Sequence, residues 1–157
     1  MKRTIATTSL AIIFATVFVP GIVRSAQAGE NKGCSNATLQ GSFGFTSVGN
    51  LIDPNVYPPP FAGPYAEVGR QTFDGKGTTS GTATLSANGN PQAVTITGTY
   101  VVNPDCTGTM TLYVSPFNSY GHADFVIDDD GAEIRLIFTD SGLVESRIYK
   151  KQFQGRL

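Results

Sequence analysis

Glu67, Arg70 and Tyr100 have the side chains and placing to serve a small ligand, since each sits in a segment whose apolar residues alternate and so projects from a strand. An ionisable group held this way inside an apolar enclosure orients a ligand, or moves a proton in a cyclisation or isomerisation. Alternation puts Glu67 on the side of Tyr65, and Arg70 on the side of Ala66 and Val68. If the second side faces inward, Arg70 is the polar group of a lumen. Near the C-terminus, Arg135 and Arg147 fall opposite one another in the hairpin register derived below, among Asp124, Asp128, Glu133 and Glu145. That pattern reads as a solvated outer face with weak cross-strand pairs, and its functional alternative is an arginine pair for an anion.

Other chemistries fail on spacing. The run Asp128-Asp129-Asp130-Gly131 suggests a calcium loop, but aligning Gly131 with the loop glycine puts Val126 and Ile137 where the terminal carboxylates belong. A hairpin turn accounts for the same residues. Around Gly75-Lys76-Gly77 a phosphate loop would need glycine at position 70, which is Arg, and Ser or Thr after Lys76. His122 is the single histidine, and no Gly-x-Ser-x-Gly elbow is present. No catalytic residue, metal site or cofactor is therefore assigned. Asn36-Ala37-Thr38 matches a glycosylation sequon, or else forms a turn before the first strand.

The elements that must position these residues are strands. Beyond Gly29 the chain is rich in Gly, Thr and Ser, with apolar residues recurring at period two between turn signals. Strands are expected over about 39–48, 64–74, 78–87, 92–102 and 106–114, followed by three more, about eight in all. Ala123, Phe125 and Ile127 precede Asp130-Gly131, and Ile134, Leu136 and Phe138 follow it. A two-residue turn there pairs Ile127 with Ile134, Phe125 with Leu136 and Ala123 with Phe138, which makes one face wholly apolar. Keeping that face continuous through Asp140-Ser141-Gly142 favours a three-residue loop that pairs Phe138 with Val144 and Ile134 with Ile148. Other registers set Glu145 or Arg147 against apolar residues. A meander of about eight antiparallel strands closes into a barrel, with a β-sandwich as the alternative. The Pro-rich stretch 49–63 is long enough to fold across one end.

Residues 1–28 have the order of a cleavable signal peptide: Lys2 and Arg3, an apolar run over 5–19, a break at Pro20-Gly21, and Ala26-Gln27-Ala28 before a cut at Gly29. The run is short for a membrane span, so no membrane anchor is expected after cleavage. Residues 29–157 then form one domain that is secreted or periplasmic. The leader holds Lys2, Arg3 and Arg24 of the 11 cations and none of the 12 acids, which leaves eight against 12, a net charge of −4. Nucleic acid is not an expected partner for that charge. Cys34 and Cys106 both lie in the exported part, where an oxidising compartment pairs them. Closing a loop of that length contributes up to about 4 kcal/mol in the chain-entropy model.

Phe73-Asp74-Gly75-Lys76-Gly77, then Asn88-Gly89, then the run from Gly98 through Tyr100, Asn103, Pro104 and Cys106 to Thr109 resembles a group of small secreted bacterial proteins of unassigned function. The resemblance implies an exported bacterial protein and does not indicate an activity. More distantly, the architecture is similar to allene oxide cyclase-like and calycin-like barrels, which implies a lumen for small apolar molecules. No motif carries a catalytic residue over from either group. The function expected is non-enzymatic binding of a small apolar or amphipathic ligand, with Glu67, Arg70 and Tyr100 as ligand-binding residues. A barrel cyclase or isomerase and a partner-binding envelope protein are the alternatives.

Overall fold

The computed structural model describes residues 33–57 and 59–152; the leader expected over 1–28 and the cut expected between Ala28 and Gly29 lie outside them. Eight strands follow in chain order: β1 (Gln40–Leu51), β2 (Gly63–Asp74), β3 (Thr78–Ala87), β4 (Asn90–Val102), β5 (Thr107–Ser115), β6 (Ser119–Asp128), β7 (Glu133–Phe138) and β8 (Leu143–Lys151). Each pairs antiparallel with the next, and β8 closes onto β1 from Phe43–Lys151 to Leu51–Leu143, so the expected meander barrel is the fold. Period-two alternation is the cause. Along β6, Gly121, Ala123, Phe125 and Ile127 turn inward while the residues between them face outward. Closure leaves no unpaired edge.

The β6–β7 register is as expected, with Ile127 on Ile134, Phe125 on Leu136 and Ala123 on Phe138. Its connection is longer than the two-residue turn expected. Asp128 pairs with Glu133, and Asp129, Asp130 and Gly131 all take positive φ, at 52°, 51° and 85°. Gly131 is required there, because a Cβ would sit 2.9 Å from the Thr38 carbonyl oxygen.

At β7–β8 the structure corrects the sequence reading. Ile134 pairs with Tyr149, Leu136 with Arg147, and Arg135 with Ile148, one residue away from the expected register. Leu143 N–H donates to the Asp140 carbonyl at 3.3 Å, so the turn is tight and centred on Ser141-Gly142, with Gly142 at φ 80°. A one-residue slip exchanges the two faces of a strand. Val144 and Ile148 are therefore exposed, and Glu145, Arg147 and Tyr149 point into the barrel. Arg135 and Arg147 do not face each other: Arg135 stays outside, 2.8 Å from Glu133 and 3.4 Å from Asp128.

The end of the barrel that holds the β2–β3, β4–β5 and β6–β7 turns is sealed. Leu39, Phe43, Phe73 and Tyr100 fill it, and Phe73 meets Phe43, Tyr100 and Tyr149 edge-on at centroid distances of 5.2, 5.3 and 5.6 Å. Burying each large apolar side chain contributes roughly 1.5–3 kcal/mol. Across this plug lies the segment before β1, with a 3₁₀ turn at Asn36–Thr38. Asn36 accepts from the Val102 N–H at 2.8 Å and donates to the Lys76 carbonyl at 3.3 Å, so the sequon asparagine serves as a tie between turns. The expected Cys34–Cys106 disulfide pins the segment, with a Cα–Cα distance of 4.9 Å.

Candidate functional site

The opposite end is where polar side chains gather inside the barrel. Three adjacent strands, β2, β1 and β8, set them in rows by their pairing. Tyr65, Gly49 and Glu145 share one row; Glu67, Ser47 and Arg147 the next; Gly69, Phe45 and Tyr149 the third. Small residues on the middle strand let the outer two meet across it. Over Ser47, Arg147 Nη2 reaches Glu67 Oε2 at 2.6 Å and Glu145 Oε1 at 2.9 Å. In the third row Gly69 leaves room for Phe45, whose ring a Cβ at Gly69 would approach to 2.8 Å. The Arg147 guanidinium lies on that ring, 4.4 Å from its centroid, and 5.2 Å from that of Phe138.

Hydrogen bonds extend the cluster in both directions. Toward the mouth, the Ser47 hydroxyl donates to Glu145 and lies 3.0 Å from the Tyr65 phenol oxygen. Toward the core, Arg147 Nη1 donates to Tyr149 at 3.1 Å and Tyr149 to Gln71 Oε1 at 3.0 Å. Gln71 Nε2 in turn donates to Thr79 at 2.9 Å, and Thr79 to the Thr72 carbonyl at 2.9 Å. Such continuity is what makes buried polar groups tolerable, since an unpaired one in a low-dielectric interior costs free energy. Among the described residues the single enclosed side-chain polar atom without a partner is Arg147 Nε.

Glu67 and Arg147 are each 3% exposed, so the electrostatics are those of an interior. Burial pushes the Glu67 carboxyl above its ordinary range, Arg147 pulls it back, and Glu145 adds to the rise. Burial works against the Arg147 cation, but the surrounding oxygens of Tyr149, Glu67 and Glu145 outweigh it and hold the guanidinium well above its ordinary value. Desolvation likewise raises the Tyr65 and Tyr149 phenols. A permanently charged arginine thus sits between two carboxyl groups, one of them reluctant to ionise.

Above this cluster the lumen opens into a cavity of about 370 Å³, floored by Glu67, Glu145 and Arg147 and walled by apolar and aromatic side chains, Tyr57, Phe61, Phe117 and Phe138 among them. The Pro-rich connection between β1 and β2 borders it, as the expected end-covering loop. Ile52 N–H donates to the Gly142 carbonyl at 2.8 Å, Asn88 Nδ2 to the Pro60 carbonyl at 3.1 Å, and Phe61 packs edge-on to Phe117 at 5.7 Å.

Of the three residues singled out from sequence, only Glu67 belongs here. Arg70 is exposed on the outside of β2, in a shallow groove with Thr82 and Thr95; the interior takes the Tyr65–Glu67 side of the strand, because that side continues into Phe73. Tyr100 is buried in the sealed end, donating to the Leu39 carbonyl at 3.0 Å, with its phenol raised by burial. Ser47 and Tyr65 are not singled out by the sequence, which sets Arg147 and Glu145 on a solvated outer face beside Arg135. The alternation of Glu145, Arg147 and Tyr149 was their signal, set aside because it opposes apolar residues on β7 alone. His122 stands exposed at the rim of this end, its Nδ1 2.8 Å from Asp140.

No protein-family model and no curated protein matches the chain. Two solved barrels share its fold. A redesigned beta barrel, b11L5F_LGL, has a TM-score of 0.53 and 15% identity over 75% of this chain and 95% of that one. The structure of EF1p2_mFAP2b bound to DFHBI has a TM-score of 0.53 and 10% identity over 78% of this chain and 98% of that one. At these identities the likeness is one of fold alone. It supports the closed barrel and gives no support to a particular family such as the allene oxide cyclase-like proteins.

Proposed function

We propose that the protein is an exported barrel that binds a small amphipathic molecule in the open end of its lumen. One observation carries the reading: a 370 Å³ cavity with apolar walls ends on a buried, hydrogen-bonded charge cluster. Its volume falls at the small end of the usual range for ligand pockets, and a few convergent polar groups on an apolar wall are what fixes a ligand's orientation. A barrel of similar fold is bound to DFHBI, which is in keeping with the reading. The Cys34–Cys106 disulfide is in keeping with an oxidising compartment, and export is checked by mass spectrometry of the mature protein, which should begin at Gly29.

The experiment is titration of the purified protein with the neutral solvent-sensitive probe N-phenyl-1-naphthylamine. Saturable binding of one probe per barrel is expected, and Leu85→Trp, which fills the cavity from β3, should abolish it while the thermal transition remains cooperative. Absence of saturable binding, or binding indifferent to Leu85→Trp, overturns the reading. A second reading, a barrel isomerase or cyclase, draws on Glu67, a carboxyl beside the cavity whose burial raises its pKa and so makes it a better proton carrier than an exposed acid. It requires that a molecule extracted from the wild-type protein be chemically altered relative to the one extracted from Glu67→Gln.

A further inference from the structure

The charge balance of the cavity floor indicates which head group the lumen accepts. Glu67, Glu145 and Arg147 are the charged side chains lining the cavity among the described residues, two acids against one cation. Arg147 is already committed: Nη2 to both carboxylates, Nη1 to Tyr149, and its plane to Phe45. Its remaining atom, Nε, is enclosed by protein and cannot meet a ligand without displacing what covers it. The carboxylates are differently placed. Glu67 is bonded to Arg147 through Oε2, Glu145 to Arg147 and Ser47 through Oε1, and both side chains line the cavity, where the second oxygen of each carboxyl group is an acceptor that Arg147 does not occupy. A head group arriving at the floor therefore meets two carboxyl groups and one guanidinium whose Nη2 is already shared between them.

Resting on the lumen-binding reading, we propose that this cavity selects hydrophobic amines: an ammonium head on Glu67 and Glu145, with an aromatic or aliphatic body against Tyr57, Phe61 and Phe117. A carboxylate head would face two acids of its own sign across a low-dielectric gap, against a single guanidinium already paired with both of them. A hydroxyl gains the hydrogen bond but not the charge. The aromatic walls add attraction for a cation, since ring faces carry negative potential.

The test compares three ligands with one skeleton, 2-naphthylmethylamine, 2-naphthylmethanol and 2-naphthoic acid, as competitors of N-phenyl-1-naphthylamine at pH 7.5 (about neutral) and low salt. The amine is expected to compete at least about tenfold more tightly than the alcohol, and the acid most weakly, a tenfold step corresponding to about 1.4 kcal/mol. In Glu67→Gln the advantage of amine over alcohol, measured against whatever probe affinity the variant retains, should fall to within about threefold, which is about 0.65 kcal/mol. If the acid or the alcohol matches the amine in the wild-type protein, the charge selection is overturned and lumen binding stands. If the neutral probe itself fails to bind, lumen binding falls and the selection with it. Should Glu67→Gln not fold, the wild-type series decides alone.

Discussion

At the end of the barrel where β2 turns into β3, the lumen is filled by Leu39, Phe43, Phe73 and Tyr100, and the segment around Asn36–Thr38 lies across it under a disulfide. At the end where β1 turns into β2 the same eight strands enclose about 370 Å³ above two carboxyl groups and a guanidinium. The first arrangement is what stability alone asks for, because close-packed apolar side chains gain both hydrophobic and dispersion energy. The second gives up packing volume and takes charges out of water at a cost of several kcal/mol per ion before pairing. A barrel that can seal one end with aromatic side chains has the means to seal the other. The difference separates the part of the molecule that holds the fold from the part proposed to hold a ligand.

The comparison breaks first if Arg147 is only a packing element. Arg147→Met should cost about 3–5 kcal/mol, because it leaves Glu67 and Glu145 facing one another inside the barrel with no cation between them. Replacing all three, as Glu67→Gln, Glu145→Gln and Arg147→Met, should recover most of that loss in urea denaturation while abolishing the preference for amines. A triple variant as unstable as the single one would show that the cluster is needed for folding.

At the sealed end, replacing Cys34 and Cys106 by Ser should cost about 2–5 kcal/mol, by freeing the unfolded chain across a separation of 72 residues. Probe affinity in the open cavity should stay within about twofold at temperatures where the variant is folded, a change of about 0.4 kcal/mol. A large loss of affinity would join the two ends into one functional unit.

A third effect is smaller and concerns pH. Glu67 has a folded-state pKa above its ordinary value of 4.5, so in the window just above 4.5 the folded state holds a proton that the unfolded chain has released. Its contribution therefore falls as pH rises through that window. Asp74 and Asp105, at exposed turns, behave oppositely: backbone N–H donors lower the first, and the Thr107 hydroxyl and N–H the second, and stability from both is lost as pH falls below their ordinary 3.8. The melting temperature should rise with pH through the acid range and then decline, and Glu67→Gln should remove the decline while sparing the rise. A profile unchanged in Glu67→Gln would place its titration elsewhere.

The smallest effects mark what the site excludes. Tyr100→Phe removes the hydrogen bond to Leu39 and should cost about 1 kcal/mol with probe binding unaltered. Arg70→Ala, on the exposed outer face, should change stability by less than about 0.5 kcal/mol and leave binding as it is.

Much of this molecule was legible in the order of its residues. Period-two alternation in segments such as 64–74 and 121–127 determined strands, the spacing of Gly, Asn and Asp turn signals determined a meander of eight, and the apolar match across Asp130-Gly131 determined the β6–β7 register. Two cysteines, both beyond the segment that reads as a leader, determined a disulfide. Glu67 was legible as an ionisable residue on a strand, though not which face would turn inward.

The tertiary structure decided the rest, above all the register of β8. Judged against β7 alone, Val144 and Ile148 belong inside, because hydrophobic matching in a single hairpin weighs only two strands. Closure makes β8 answer to β1 as well, and through β1 to β2, where Glu67 waits across the small side chain of Ser47. Arg147 is tolerable inside because an acid two strands away in the barrel neutralises it, and neutralisation at a distance of 80 residues along the chain leaves no trace in local hydropathy. Local period determined what each strand is, and the closed ring of neighbours decided which face of it holds the chemistry.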